Sequence, residues 1–501
     1  MGEQPAATQP VVAVVGGGIT GLSAAWTLAG AARVVLLEAS EHLGGKVRTE
    51  EVGGQPVDVG PDAFLARVPD AVDLCRAVGL GDDLVAPATG RAFIWSRGRL
   101  RPFPKGLVLG VPSALGPLAR SGLLSPRGLL RAAFDRVLPS SPATGDRSVG
   151  DLVTARLGRE VLERVVDPLL GGIHAGDSRE LSLATTAPQL VSAAARSRSL
   201  MRGLATQAGR GTVVSGPVFL SLSSGLGSLV ERLRADLVGQ GVDVRMACPV
   251  RRLQRVGDSW RLGTPAGVVD ADAVVLAVAS PVAARLVASQ APGPAAELEG
   301  IDYASVVVVT LAYPASGVPH PLDGSGFLVP RTEGRLMTAC TWSSSKWPHL
   351  ARPGRVLLRV SAGRWGDDRA LAMTDGALVD RLHAELAEAL GLHARPLAAR
   401  VTRWPGAFPQ YRVGHLDRLV RIEAGLAALP GLVVGGAPYR GIGLPACVAQ
   451  GRRAAEAVLR QVAPPGQSGP GTRCPARHEG HLVRWDAAGS ASAGPCRSPA
   501  E

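Results

Sequence analysis

Lysine is nearly missing from this chain: Lys46, Lys105 and Lys346 are its lysines, and arginine supplies the rest of the 54 basic residues. Alanine, glycine and proline are abundant alongside it, a pattern that coding bias in a GC-rich genome explains without reference to function. Aromatic residues make up only 4%, which leaves few platforms for stacking single-stranded bases and sets nucleic acid aside as a partner. The six cysteines, Cys75, Cys248, Cys340, Cys447, Cys474 and Cys496, form no CxxC pair, so neither a zinc site nor a disulfide framework is expected, and the chain suits a reducing compartment. "MGEQPAATQP" lacks the basic and hydrophobic segments of a secretory signal. No run of about 18 uninterrupted apolar residues could cross a bilayer. The expectation is a cytoplasmic protein, soluble or peripheral at the inner face of the membrane. Its net charge of +12 suits an anionic surface or a carboxylate-bearing substrate.

With 501 residues, 46% of them hydrophobic, the chain can fill two or three domains. "VVAVVGGGITGLSAAWTLAG" reads as a buried parallel strand at Val11 to Val15, then Gly16, Gly18 and Gly21 in GxGxxG spacing, then a helix. The glycines serve the turn, the approach of backbone to a pyrophosphate and the packing of helix on strand. A phosphate there sits at the positive end of the helix dipole. A second strand, "RVVLLEAS", ends in Glu38, where a carboxylate can accept hydrogen bonds from an adenosine ribose. NAD and FAD share this fingerprint. A second glycine loop comes next in "EHLGGKVRTE", with Gly44, Gly45, Lys46 and Arg48, and then "VDVGPDAF", with Gly60 to Ala63.

These added segments resemble the extended fingerprint of flavoproteins of the amine oxidase, phytoene desaturase and protoporphyrinogen oxidase superfamily, which implies FAD. The candidate cofactor-binding residues are Gly16, Gly17, Gly18, Ile19, Thr20, Gly21, Glu38, Ala39, Gly45, Lys46, Arg48, Gly60, Pro61, Asp62, Ala63, Val250, Ile442, Gly443 and Leu444. Of these, Val250 is expected on a strand and, by the resemblance, against the adenine end. "GLVVGGAPYRGIGLPACVAQGRRAAEAVLR" reads as strand, glycine loop and a helix starting near Pro445, with Gln450, Arg452 and Glu456 on an exposed face. The helix N-terminus can point its dipole at the flavin pyrimidine and stabilise the anionic reduced form.

The expected fold is α/β: a Rossmann-like, discontinuous FAD-binding domain (1–87, 222–285 and 420–463), a mixed-sheet substrate domain (88–98 and 286–419) and a helical insertion (99–221). In the insertion, "KGLVLGVPSALGPLARSGLLSPRGLLRAAFDRVLP" makes short amphipathic turns that suit either an anionic membrane surface or an ordinary helix with solvated arginines. Residues 464–501, rich in Pro, Gly, Ser and Ala, read as a disordered tail, too unscaffolded for Cys474, His478 and His481 to bind metal.

One cluster remains, "GGIHAGDSRELS" at 171–182, whose His, Asp and Ser fit a hydrolase nucleophile, a metal site or a turn that caps a helix. The segments "PLLGGIHAGDSRELS", "SLSSGLGSLVERL", "SSKWPHL", "FPQYRVGH" and "YRGIGLPACVAQG", in this order, resemble bacterial oxygen-dependent protoporphyrinogen and coproporphyrinogen oxidases over about residues 10–462. In that family the position of His174 is as a rule aromatic, which argues against proton transfer by this histidine. The cluster then reads as a tight turn, with Asp177 or Ser178 capping the next helix, or as a loop lining the porphyrinogen cavity with Gly171 and His174.

The resemblance also implies the chemistry. Hydride leaves a bridging carbon for the flavin, a pyrrole nitrogen loses its proton, and three such steps, each followed by reoxidation with molecular oxygen to hydrogen peroxide, give the porphyrin. No dedicated catalytic acid or base is required, only positioning and exclusion of water. Arg91 approximately matches a family arginine that pairs with a substrate propionate, a contact that suits guanidinium; Arg97 and Lys105 are weaker candidates. Coproporphyrinogen III is preferred over protoporphyrinogen IX, with a ferrochelatase acting downstream in heme biosynthesis. The alternatives are a flavin amine oxidase, a carotenoid desaturase and a flavin-binding protein without catalysis.

Overall fold

The computed structural model describes residues 9–139, 145–210 and 216–462. The tail and its Cys474, His478 and His481 lie outside the described residues. A five-stranded parallel sheet orders its strands Asp243–Arg245, Arg33–Leu37, Val11–Val15, Ala273–Leu276 and Leu432–Val434. The central strand is apolar throughout because both its faces are covered. Val12 and Val14 join Leu22 and Leu28 of helix Ile19–Leu28, Leu229 and Leu233 of helix Gly227–Gly239, and Val458 of helix Leu444–Val462. Ala13 and Val15 point the other way, to Trp260, Leu262, Leu286, Leu298 and Leu419. Each buried valine or leucine contributes about 1.5–3 kcal/mol by leaving water, so the strand is held from two sides. That second core reaches Leu298 and Ile301, past the boundary expected at 285.

A seven-stranded sheet takes the order Ala398–Pro409, Tyr303–Pro314, Arg355–Ala362, Met337–Trp342, Gly326–Leu328, Phe93–Ser96 and Arg99–Pro102. Gly326–Leu328 and Phe93–Ser96 run parallel and the other neighbours antiparallel, so the sheet is mixed. The expected boundary at 98 cuts the hairpin that ends at Pro102. The two faces of the sheet differ. Leu358, Val360, Cys340, Trp342, Val309 and Leu311 are buried against Leu378, Leu382 and Leu386 of helix Asp375–Leu390. On the opposite face the register aligns Val308 with Ser361 and Thr402, Thr310 with Arg359, and Thr341 with Arg359. There Ser361, Thr341 and Thr402 stay half-buried. A central sheet face with small polar residues and incomplete cover is a face that has room beside it.

Short helices between Leu115 and Arg210 pack around Leu118, Val153, Leu157, Val165, Leu190 and Leu204. Ser148 and Asp151 form a reciprocal capping box at helix Val149–Leu157. The amphipathic stretch breaks into helices Leu115–Ser121 and Pro126–Ala133 and a turn at Phe134–Arg136. Arg131 there turns inward to the carbonyls of Thr154, Ala155 and Arg156, where it caps the end of a helix. No helix among the described residues is long and apolar enough to cross a membrane.

Candidate active site

The first glycine loop and the start of helix Ile19–Leu28 form a cradle. Gly16, at φ +103°, leads the chain out of the strand in a conformation that L side chains rarely adopt. A Cβ on Gly21 would overlap the Gly16 carbonyl oxygen, whereas one on Gly18 would meet nothing within 4 Å. Gly44 N donates to Gly17 O at 2.8 Å, which draws the second loop against the first and sets Gly45 beside Gly18. The helix has no side-chain cap at Gly18 and no acidic residue in its first turn, so its amides and dipole are left to an anion. Glu38 accepts from Gly17 N at 2.6 Å and from Ser40 N at 2.7 Å; exposed Ala39 stands next to it.

The C-terminal segment docks on this cradle. Ser23 Oγ donates to Val448 O at 3.0 Å, and Gly451 lies against the Thr20 carbonyl, so Ile442, Gly443 and Leu444 stand at the head of a helix packed against Ile19–Leu28. Gln450 is buried, contrary to the exposed face expected for it. Its Oε1 accepts from Gly436 N and Arg440 N, and its Nε2 donates to Ala446 O and Gly441 O. The glycine loop folds over that side of the helix and needs a side chain to satisfy its amides. Val250 also departs from expectation. It lies in the loop between strands Asp243–Arg245 and Arg252–Val256, because Pro249 before it has no amide hydrogen to extend the ladder. It still packs against the core of the parallel sheet.

Gly60, Pro61, Asp62 and Ala63 are pinned from the seven-stranded sheet. Asp62 accepts from Lys346 Nζ at 2.8 Å and Trp347 Nε1 at 3.1 Å, with Arg359 Nη1 3.9 Å away. Against the opposing effect of burial, Lys346 and Arg359 hold its carboxyl well below the usual range. Arg359 also donates to Gly60 O, and Trp404 Nε1 donates to Val59 O at 3.0 Å. Burial pushes the Asp58 carboxyl up to about 6 although it accepts from Thr49 Oγ1 and Leu226 N. Lys46 is exposed in the second glycine loop. Arg48 pairs with Glu50. Arg359 is a functional candidate that the sequence did not single out, and Lys346 and Trp347 stand in the segment "SSKWPHL" with no role assigned from the sequence, since 284 residues separate Lys346 from Asp62.

The open sheet face ends in unmet hydrogen-bonding capacity: Thr310 Oγ1, Thr402 Oγ1 and Arg359 Nε are buried without partners. Buried polar atoms are normally satisfied, and three orphans on one face beside the 59–63 loop suit a polar ligand. Gly171 and His174 lie on helix Asp167–His174, which ends at Ala175 in the left-handed region. The glycine-bounded turn is present, but Ser182 rather than Asp177 or Ser178 caps the next helix, accepting from Thr185 N. Ser178 instead donates its amide to Asp167, and Asp177 closes a local turn onto Arg179 N. His174 is buried, its Nδ1 has no partner, and burial pushes its imidazole down to about 4, so it is neutral near pH 7. Its ring is 6.1 Å from that of Tyr411, which receives Gly441 N and donates to Ala437 O in the C-terminal glycine loop. Arg91 is not brought to this group. It is exposed, pairs with Asp323 at 2.5 Å and lies over Phe93. Arg97 pairs with Glu160, and Lys105 is exposed.

The parallel sheet with its open glycine cradle defines a protein that binds a dinucleotide cofactor. The sequence profile of flavin-containing amine oxidoreductases matches residues 19–459, and the chain belongs to that family. FAD is its cofactor, and the uncapped helix and the space at Gly18 fit it. The coproporphyrinogen III oxidase of Bacillus subtilis (strain 168) is 35% identical over 462 residues, 89% of this chain and 97% of the relative. That of Mycobacterium tuberculosis (strain ATCC 25618 / H37Rv) is 38% identical over 460 residues, 89% of this chain and 96% of the relative. The crystal structure of a candidate protoporphyrinogen oxidase from Exiguobacterium sp. 255-15 matches with a TM-score of 0.81 at 34% identity, covering 91% of this chain and 99% of that one.

Proposed function

We propose that the chain oxidises coproporphyrinogen III to coproporphyrin III, transferring six electrons to three molecules of oxygen and releasing three of hydrogen peroxide. The observation that carries this reading is the seven-stranded sheet's half-covered face, polar at Thr310, Ser361 and Thr402, set over the loop at Gly60 by Arg359 and Trp404. The names of the relatives supply the substrate. Bound flavin supplies the two-electron acceptor. The chain's own residues do the rest: the cradle at Gly16 to Gly21, with Glu38, Gly45, Lys46, Ile442, Gly443 and Leu444, holds the cofactor, and Asp62 fixes the loop beneath the sheet. The sheet face and the loop at Gly171 and His174 hold the macrocycle and exclude water. Neutral His174 offers a hydrogen-bonding ring nitrogen rather than a base. Aromatisation drives the reaction, so positioning suffices. A ferrochelatase using the product is the partner that this reading implies.

The test is turnover of anaerobically prepared coproporphyrinogen III and protoporphyrinogen IX in air, tracked by porphyrin fluorescence and peroxide. We expect kcat/KM for the first to exceed that for the second by at least about tenfold. The reverse order transfers the assignment to protoporphyrinogen, and no turnover of either ends it.

The same reading extends to peripheral membrane contact. Leu130, Phe134 and Val137 are exposed at 63%, 48% and 65%, with Arg127 and Arg136 exposed beside them, a composition suited to anionic headgroups. Cosedimentation with phosphatidylglycerol vesicles, absent with neutral ones and lost in a Leu130→Ser/Phe134→Ser variant, is expected. Equal recovery with both kinds of vesicle, or none, removes this contact from the proposal.

A further inference from the structure

Beside the turn after His174 lies a surface cavity of about 410 Å³ lined by Arg331, Arg364, Arg369, Asp367, Asp368 and two glycines. Most of its charges are already matched. Arg369 is bidentate to Asp367, both contacts at 2.8 Å. Arg331 donates to Gly176 O at 2.6 Å and Trp365 O at 3.3 Å, and its Nε stands 3.4 Å from Asp167 Oδ2; it ties the cavity to the loop carrying Gly171 and His174. Asp368 is exposed to water at the rim. Arg364 is different. It is half-buried, its Nε, like that of Arg331, is buried without a hydrogen-bond partner, and, unlike Arg331, it has among the described residues no carboxylate within 4.0 Å of its guanidinium. Burial and neighbouring Arg331 lower its pKa to about 10 against the more distant pull of Asp167 and Asp367, which leaves it charged at neutral pH. A charge taken partly out of water with no carboxylate in direct contact is costly, and a cavity that holds one can be completed by an anion.

The next residue shows where that anion comes from. Trp365 N donates to Ala175 O at 2.6 Å, and Trp365 packs with Ala175, Val306, Trp404 and Phe408 in one apolar patch, whose Trp404 reaches Val59 beside the Gly60 loop. A flat apolar ring seated on that patch has a cation one residue along the chain. A vinyl substituent has no use for it; a propionate does, and guanidinium matches a carboxylate in two parallel hydrogen bonds.

We propose that Arg364, with Arg331 behind it, is a carboxylate site that takes one of the propionates that coproporphyrinogen III has and protoporphyrinogen IX lacks, and so sets the preference between them. The proposal rests on the porphyrinogen reading above. Its test is equilibrium binding of coproporphyrin III, protoporphyrin IX and succinate to the flavin-loaded protein and its Arg364→Gln and Arg364→Lys variants, with flavin content and melting temperature measured on each. Arg364→Gln should raise Kd for coproporphyrin about tenfold and leave that for protoporphyrin within about twofold, while Arg364→Lys recovers part of the loss. Equal losses for both porphyrins mean that Arg364 only shapes the loop, and no loss for either removes it from the site; both outcomes overturn the proposal. Succinate binding that disappears in Arg364→Gln while coproporphyrin binding is unchanged marks a site for free anions and overturns it as well. Absence of porphyrinogen turnover by the unmodified enzyme defeats the activity reading instead, and is seen without any variant.

Discussion

Gly18→Ala is expected to fold and lose its flavin, whereas Gly21→Ala is expected not to fold properly at all. The two glycines are three residues apart in one motif, yet their surroundings are opposite. Gly18 has φ −68° and ψ 173°, a conformation open to any L residue, and its Cβ would enter empty space. Nothing in the chain resists the methyl group. What resists it is the pyrophosphate, which needs that space at the uncapped start of helix Ile19–Leu28. We expect the variant to melt within a few degrees of the unmodified apoprotein and to bind FAD at least about 100-fold more weakly, a loss of about 2.7 kcal/mol. A Cβ on Gly21 would overlap the Gly16 carbonyl and stand 3.4 Å from Ala277 Cβ. The helix would have to leave the strand, opening a core shared with Leu22 and Leu28, at a cost above about 4 kcal/mol. Visible flavin absorbance and thermal melting of both variants decide the matter, and a Gly18→Ala protein that keeps its flavin would remove the cradle from the site.

This contrast also shows what was legible in the sequence. The α/β class and the first turn could be read because they are local: an apolar strand, glycines at fixed spacing and a helix fall within about twenty residues. Local reading failed where a distant segment decides. Gln450 has the spacing of an exposed helical residue, but the loop at Gly436 to Gly441 folds onto it. Val250 has the apolar character of a strand, but Pro249 ends the ladder. The partners of Asp62 come from Lys346 and Arg359 across the other sheet. The expected boundary at 98 falls inside the hairpin of Phe93–Ser96 and Arg99–Pro102, because a short segment with Arg99 and Arg101 does not read as a strand. Arg91 was singled out by resemblance and lies in an exposed ion pair, whereas Arg364, one arginine among many in sequence, is distinguished only by what fails to surround it.

Removing the Asp135 side chain should be the most damaging single change in the helical segment. Asp135 is fully buried. Its carboxylate accepts from Arg156 Nε at 2.8 Å, Ser199 Oγ at 2.6 Å, Leu200 N at 3.1 Å and Met201 N at 3.0 Å. It is at once the counter-ion of a buried arginine and the cap of helix Leu200–Arg210, where a negative charge also meets the helix dipole. Arg156 in turn donates to the carbonyls of Asp135, Pro139 and Arg198, so it cannot swing out to water without breaking those bonds. Asp135→Ala therefore leaves a buried charge uncompensated, at about 3–5 kcal/mol, and orphans helix amides worth about a further 1 kcal/mol. The expected result is a melting transition lowered by on the order of 10 °C and proteolysis concentrated between residues 99 and 221. Adding Arg156→Met should restore the part due to the unpaired charge and leave the part due to the cap. Full restoration by the second change would show that the cap contributes nothing, and no restoration would show that the ion pair is not what holds these helices together.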